Sequence, residues 1–114
     1  MKIQQIREFT EAALVCGETN REKEVLSGFA SDLMSDVLRL DTGDVLLITG
    51  LCNLQTIRTA EMAEVSCILF VRGKKITPEM IELANENRMV LMTTEYSMFR
   101  AAGELYLNGL APVY

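Results

Sequence analysis

Three short apolar runs recur along the chain at nearly even spacing, and each is followed by a stretch with helical spacing. They are Val45-Leu46-Leu47-Ile48-Thr49, Ser66-Cys67-Ile68-Leu69-Phe70-Val71 and Met89-Val90-Leu91-Met92-Thr93. Runs that are apolar without alternation suit strands buried on both faces, as in a parallel sheet covered by helices. The rhythm of strand, loop and helix therefore predicts an α/β fold. Two further strands are expected nearer the start. One is Ala13-Leu14-Val15-Cys16, closed by Gly17; the other is Glu24-Val25-Leu26-Ser27-Gly28-Phe29-Ala30, in which Gly28 marks a bulge or a close approach. The polar residues 18–23 between them read as a loop.

The helices announce themselves by periodicity and by their first residues. Ile3 and Ile6 give residues 2–8 the spacing of a short amphipathic helix. Ser31 and Asp32 are helix-starting residues, and Leu33, Met34, Val37 and Leu38 follow on one predicted face. Asp41-Thr42-Gly43-Asp44 then reads as a turn. Asn53 is expected to cap a helix that buries Leu54, Ile57 and Ala60. Thr77-Pro78-Glu79 combines a capping hydroxyl, a proline at the first helical position and an acid at the positive helix end. Met80, Ile81, Leu83 and Ala84 form the apolar face behind it. Thr94-Glu95 repeats the device before Met98, Phe99, Ala102, Leu105 and Tyr106, and Gly109 is the natural stop. Residues 110–114 suit an extended tail, which Pro112 keeps away from the centre of a sheet.

Composition narrows the class without changing this picture. At 114 residues, 49% hydrophobic and 24% charged, the chain is expected to form one domain, residues 1–114, around a single core. No apolar stretch approaches the roughly 20 residues of a membrane helix. The polar and apolar residues at the start alternate and lack a signal-peptide core, so a cytoplasmic location is expected. A net charge of −5 argues against general binding of nucleic acid. Arg72, Lys74 and Lys75 form one small basic cluster, readable either as a solvated loop or as a contact for an anion.

The usual chemical signatures are missing. The sequence has no histidine, and its three cysteines are isolated from one another, so neither zinc-site spacing nor a disulfide framework is present. Cys67 falls inside an apolar strand as a small core residue, whereas Cys52 falls in the turn after a strand. Gly73-Lys74-Lys75 lacks the upstream glycine and the hydroxyl of a phosphate loop, and no strand is followed by a dinucleotide fingerprint. The expectation is a protein that is not an enzyme and needs no cofactor.

What remains is geometric. Ligands of open parallel sheets bind beyond the C-terminal ends of the strands. That rim comprises Gly50-Leu51-Cys52-Asn53, Arg72-Gly73-Lys74-Lys75 and Thr93-Thr94-Glu95. Helix N-termini there would favour a small anion such as a nucleotide. The candidate ligand-binding residues are Thr49, Gly50, Asn53, Arg72, Gly73, Lys74, Lys75 and Thr94. Glu95 and the acidity of the chain oppose an anion, and plain capped turns are the alternative.

The stretch from Ser31-Asp32-Leu33-Met34-Ser35-Asp36-Val37 through Gly43-Asp44-Val45-Leu46-Leu47-Ile48-Thr49-Gly50 resembles the DRTGG domain family. So do Ile68-Leu69-Phe70-Val71-Arg72-Gly73, Thr77-Pro78-Glu79 and Thr93-Thr94-Glu95-Tyr96-Ser97-Met98-Phe99, in the same order and spacing. The resemblance implies a three-layer α/β sandwich with a mainly parallel central sheet, similar to the N-terminal domain of HPr kinase/phosphorylase. It implies a bacterial regulatory or oligomerising module: a homodimer responding to an adenine nucleotide or a phosphorylated metabolite. The alternative it offers is an accessory module for a hydrogenase-type or other metabolic enzyme in an anaerobic bacterium. The pentapeptide that names the family is absent, and Leu51-Cys52 stand where many members carry polar residues. Thr49, Gly50, Gly73 and Thr94 carry over only as rim positions.

Overall fold

The computed structural model describes residues 1–18 and 22–114, so the middle of the polar loop expected over residues 18–23 lies outside the described residues. The elements run α1 (Ile3–Thr10), β1 (Ala13–Cys16), β2 (Ser27–Ala30), α2 (Met34–Val37), β3 (Val45–Thr49) and α3 (Leu54–Met62). They continue with β4 (Cys67–Phe70), α4 (Pro78–Glu86), β5 (Val90–Thr93), α5 (Met98–Leu107) and β6 (Ala111–Pro112). The strands form one sheet in the order β1-β5-β4-β3-β2-β6. All neighbours are parallel except β1 and β5, which are antiparallel. This is a mixed α/β fold with a mostly parallel sheet between two helical layers.

Alternation along the central strands builds the layers. On one side Val45, Leu47, Ile68, Phe70 and Leu91 pack with Met34 and Val37 of α2, Ile57 and Ala60 of α3, and Met80 and Ala84 of α4. On the other side Leu46, Ile48, Leu69, Val90 and Met92 pack with Ile3 and Ile6 of α1 and Ala101 and Leu105 of α5. β3 and β4 are buried along their whole length, which is why their sequences are apolar without alternation.

Several expectations shift. The strand expected to begin at Glu24 is regular only from Ser27; Glu24 makes an isolated bridge to Lys2, and the Val25 amide donates to the Met1 carbonyl. The helix after Ser31 has four residues. Met34 and Val37 are buried, but Leu33 and Leu38 are exposed, so the four apolar residues do not share one inward face. Its start is not capped by Asp32, whose carboxylate is used elsewhere. The last helix is capped by Ser97, which accepts from the Arg100 amide, and not by Thr94. Asn53 and Thr77 do cap α3 and α4 through the amides of Thr56 and Met80, with Pro78 opening α4. The tail forms β6 on the outside of β2, where an edge strand tolerates Pro112.

Candidate functional site

The parallel strands β2, β3, β4 and β5 end at one rim of the sheet, and three loops cross there. The loop after β3 carries Thr49, Gly50 and Asn53. Asp32, from the segment after β2, reaches into it: its Oδ1 accepts from the Gly50 amide at 2.7 Å and from the Thr49 hydroxyl at 2.9 Å. The Thr49 Oγ1 in turn accepts from the Leu51 amide, and the Thr56 hydroxyl donates to the Leu51 carbonyl. Asn53 Oδ1 closes the first turn of α3 on the Thr56 amide. The loop is thus held rigidly by side chains from three segments. Thr49 is fully buried because its hydroxyl serves this network.

The loop after β4 supplies the cations. A methyl group placed on Gly50 would lie 3.1 Å from a guanidinium nitrogen of Arg72 and 3.6 Å from Asp32 Oδ1. Arg72 and Asp32 therefore pack against Gly50, which is itself buried and has no room to spare for a side chain. Lys74 lies close enough to Cys52 for its charge to act on that thiol, and the Cys52 thiol donates to the Lys75 carbonyl. Burial nevertheless outweighs Lys74 and pushes the Cys52 thiol above its ordinary value. Cys52 is thus a poor nucleophile despite standing before a helix N-terminus.

Arg72 and Gly73 are both left-handed, at φ 63° and 64°. Their amides donate to the Tyr96 and Thr94 carbonyls, binding the loop after β4 to the loop after β5. Glu95 lies directly over Gly73, so closely that an added methyl group would collide with its carboxylate. Thr94 is buried; its hydroxyl donates to the Thr10 carbonyl and accepts from the Tyr96 amide. Tyr96 completes this side by donating to Glu11, which raises its phenol, while Arg100 stacks 3.8 Å over its ring.

The eight sequence-derived residues thus fall into three groups. Thr49, Gly50, Asn53, Arg72 and Lys74 gather around the start of α3. Lys75 touches that group through its backbone carbonyl, and its side chain is exposed. Gly73 and Thr94 belong to the neighbouring strap, where Glu95 lies over Gly73 and the Thr94 hydroxyl is bonded to the Thr10 carbonyl. Asp32 is the member that sequence reasoning missed: the pattern Ser-Asp before apolar residues looks like a helix start, and nothing in it signals a bond to a residue 18 positions away.

A second feature lies apart from the rim. An apolar groove of about 770 Å³ runs between α5 and the β2–β6 edge, floored by Gly28 and Ile48 and walled by Met98, Ala102 and Pro112. No stretch of sequence marks it, because its lining comes from four separate elements, β2, β3, α5 and β6.

A protein-family model search finds no match for the chain, and no curated protein matches it. Among solved structures it is similar to the CBS and DRTGG domains of the regulatory region of Clostridium perfringens pyrophosphatase, complexed with the activator diadenosine tetraphosphate. The TM-score is 0.76 at 17% sequence identity, over 91% of this chain and 45% of that one. The chain therefore spans less than half of that neighbour. At this identity the likeness shows a common fold, and it agrees with the fold the resemblance implied. No helix among the described residues is long and apolar enough to cross a membrane.

Proposed function

We propose that this chain is a non-catalytic regulatory domain, one DRTGG-like unit over residues 1–114, that senses a small anionic ligand at the loop after β3. The observation that carries the reading is the convergence of Arg72 and Lys74 on Gly50 and Cys52 at the start of α3. Two cations beside the N-terminus of α3 suit a phosphate group. The similar pyrophosphatase region is complexed with an adenine dinucleotide, which supports an adenine nucleotide or another phosphorylated metabolite as the class of ligand. Asp32 occupies part of the same loop, so the ligand competes with a carboxylate there. The protein acts as a cytoplasmic homodimer in this reading.

The test is calorimetric titration and thermal shift with diadenosine tetraphosphate, ATP, AMP and inorganic phosphate. A ligand specific for the folded state adds about 2.7 kcal/mol of stability at a hundredfold excess over its dissociation constant. The expected result is a shift with one phosphorylated compound that Arg72→Ala and Lys74→Ala abolish and Lys2→Ala preserves. No shift with any of them rejects the ligand. A second reading, an accessory module for a hydrogenase-type or other metabolic enzyme, is favoured by the apolar groove alone, a surface suited to protein contact.

A further inference from the structure

The two faces of the sheet are unequally covered. Among the described elements, α2, α3 and α4 cover one face, while α1 and α5 cover the other. α1 and α5 pack against each other, and α5 also reaches β3 and β2. On that face α5 borders the β2–β6 end along one side only, and the groove of about 770 Å³ lies between them. A sheet face in an α/β fold is ordinarily covered by helices. The groove has the place of one more.

The helix bordering the groove is itself unpartnered on its outer side. Phe99 is 91% exposed, Leu107 80% and Tyr106 69%, and Tyr114 at the groove's far wall is 83% exposed. At 100° per residue, Phe99, Gly103, Tyr106 and Leu107 form one stripe along α5. Exposed apolar residues scattered singly need no explanation, but a stripe beside an apolar groove does. Gly103 is a gap in this stripe, with nothing near where a side chain would stand, so another helix can approach closely.

Charge along the edge of the stripe selects the occupant. Arg100 and Glu104 are four residues apart on α5. When two copies of α5 cross antiparallel at Ala102, Arg100 of each falls level with Glu104 of the partner subunit, so the pair forms twice. Like charges meet in a parallel pairing. Such an antiparallel crossing is the geometry of a two-fold, isologous interface.

We propose that α5 and the groove beside it form the homodimer interface, with α5 of a second copy seated against the stripe and over the β2–β6 end of the sheet. The inference rests on the homodimer in the reading above and names the surface that makes it.

The experiment is sedimentation velocity over a concentration series with the full chain. The wild type is expected at twice 12.8 kDa. Phe99→Glu, and separately Leu107→Glu, should weaken dimerisation about tenfold or more, since a charge replaces a central apolar contact. Both residues face solvent in the monomer, so circular dichroism should be unchanged. Met62→Glu, another exposed apolar position, on α3, should leave the dimer intact. Arg100→Glu should weaken the dimer, and Arg100→Glu with Glu104→Arg should restore it. A dimer indifferent to both glutamate substitutions overturns the surface and leaves the homodimer standing. A monomer at every concentration overturns both, whether or not a foreign helix or an apolar compound occupies the groove.

Discussion

Asp32 Oδ1 accepts the Gly50 amide at 2.7 Å and so ties the segment after β2 to the loop after β3. The same oxygen takes the Thr49 hydroxyl. Hydrogen bonds to a charged acceptor are the stronger class, and Asp32→Ala leaves the buried Thr49 hydroxyl without its acceptor. The expected cost is about 1–3 kcal/mol by urea denaturation. Asp32→Asn keeps an acceptor oxygen and should lose less. It also removes a negative charge beside Arg72, so it should tighten binding of any phosphorylated ligand found at this loop. A weaker ligand complex in Asp32→Asn would count against the loop as an anion site.

Two glycines should respond very differently to alanine. Both are left-handed, Gly73 at φ 64° and Gly17 at φ 96°. At Gly73 the obstacle is the end of the flexible Glu95 side chain, which can swing into solvent. Gly73→Ala should therefore cost about 1 kcal/mol, the backbone penalty alone. At Gly17 the added methyl group would stand 2.8 Å from the Met89 carbonyl oxygen and 2.8 Å from Val90 Cα, both backbone atoms at the entry to β5. Gly17→Ala should cost about 3 kcal/mol or more. Equal thermal shifts in the two variants would contradict this account.

Thr94 joins the loop after β5 to the end of α1 through the Thr10 carbonyl, 84 residues away. Valine at this position has nearly the same shape and no hydroxyl. Thr94→Val should leave the buried carbonyl and the Tyr96 amide unpaired, at about 1–3 kcal/mol, whereas Thr94→Ser should stay close to wild type. Chemical denaturation of the pair decides it, and a serine variant as unstable as the valine would assign Thr94 to packing.

These residues show where sequence reasoning reached and where it stopped. β3, β4 and β5 were legible because both of their faces are buried, and α3 and α4 because Asn53 and Thr77 cap them through contacts within four residues. The roles of Asp32 and Thr94 were not, because each side chain abandons a local helix cap for a partner distant in sequence. The antiparallel β1 was equally hidden: Ala13-Leu14-Val15-Cys16 identifies a strand, but only packing against β5 sets its direction. Phe99 and Tyr106 illustrate a third limit. Their spacing on α5 marks a helix correctly, yet apolar character does not say whether a residue faces the core or solvent.

Cys67 supplies a prediction with a defined sign. It sits 1% exposed in β4, and burial pushes its thiol from 9.0 up to about 11, with smaller opposing effects from Lys23 and Ser66. A thiol ionises more easily in the unfolded chain, so at pH values between these two the unfolded state has shed a proton that the folded state retains. Stability from this group is complete below pH 9 and is lost as pH rises through about 11, by about 2–3 kcal/mol in all. Cys67→Ala removes the group while leaving every lysine, tyrosine and other cysteine in place. At pH about 8 the variant should be less stable than wild type, because a buried sulfur is lost. At pH about 11 that gap should shrink by about 2 kcal/mol or reverse, as read from denaturation midpoints. A gap that stays constant would mean that the Cys67 thiol ionises as readily in the folded protein as in the unfolded chain, and that the core around β4 opens to water at alkaline pH.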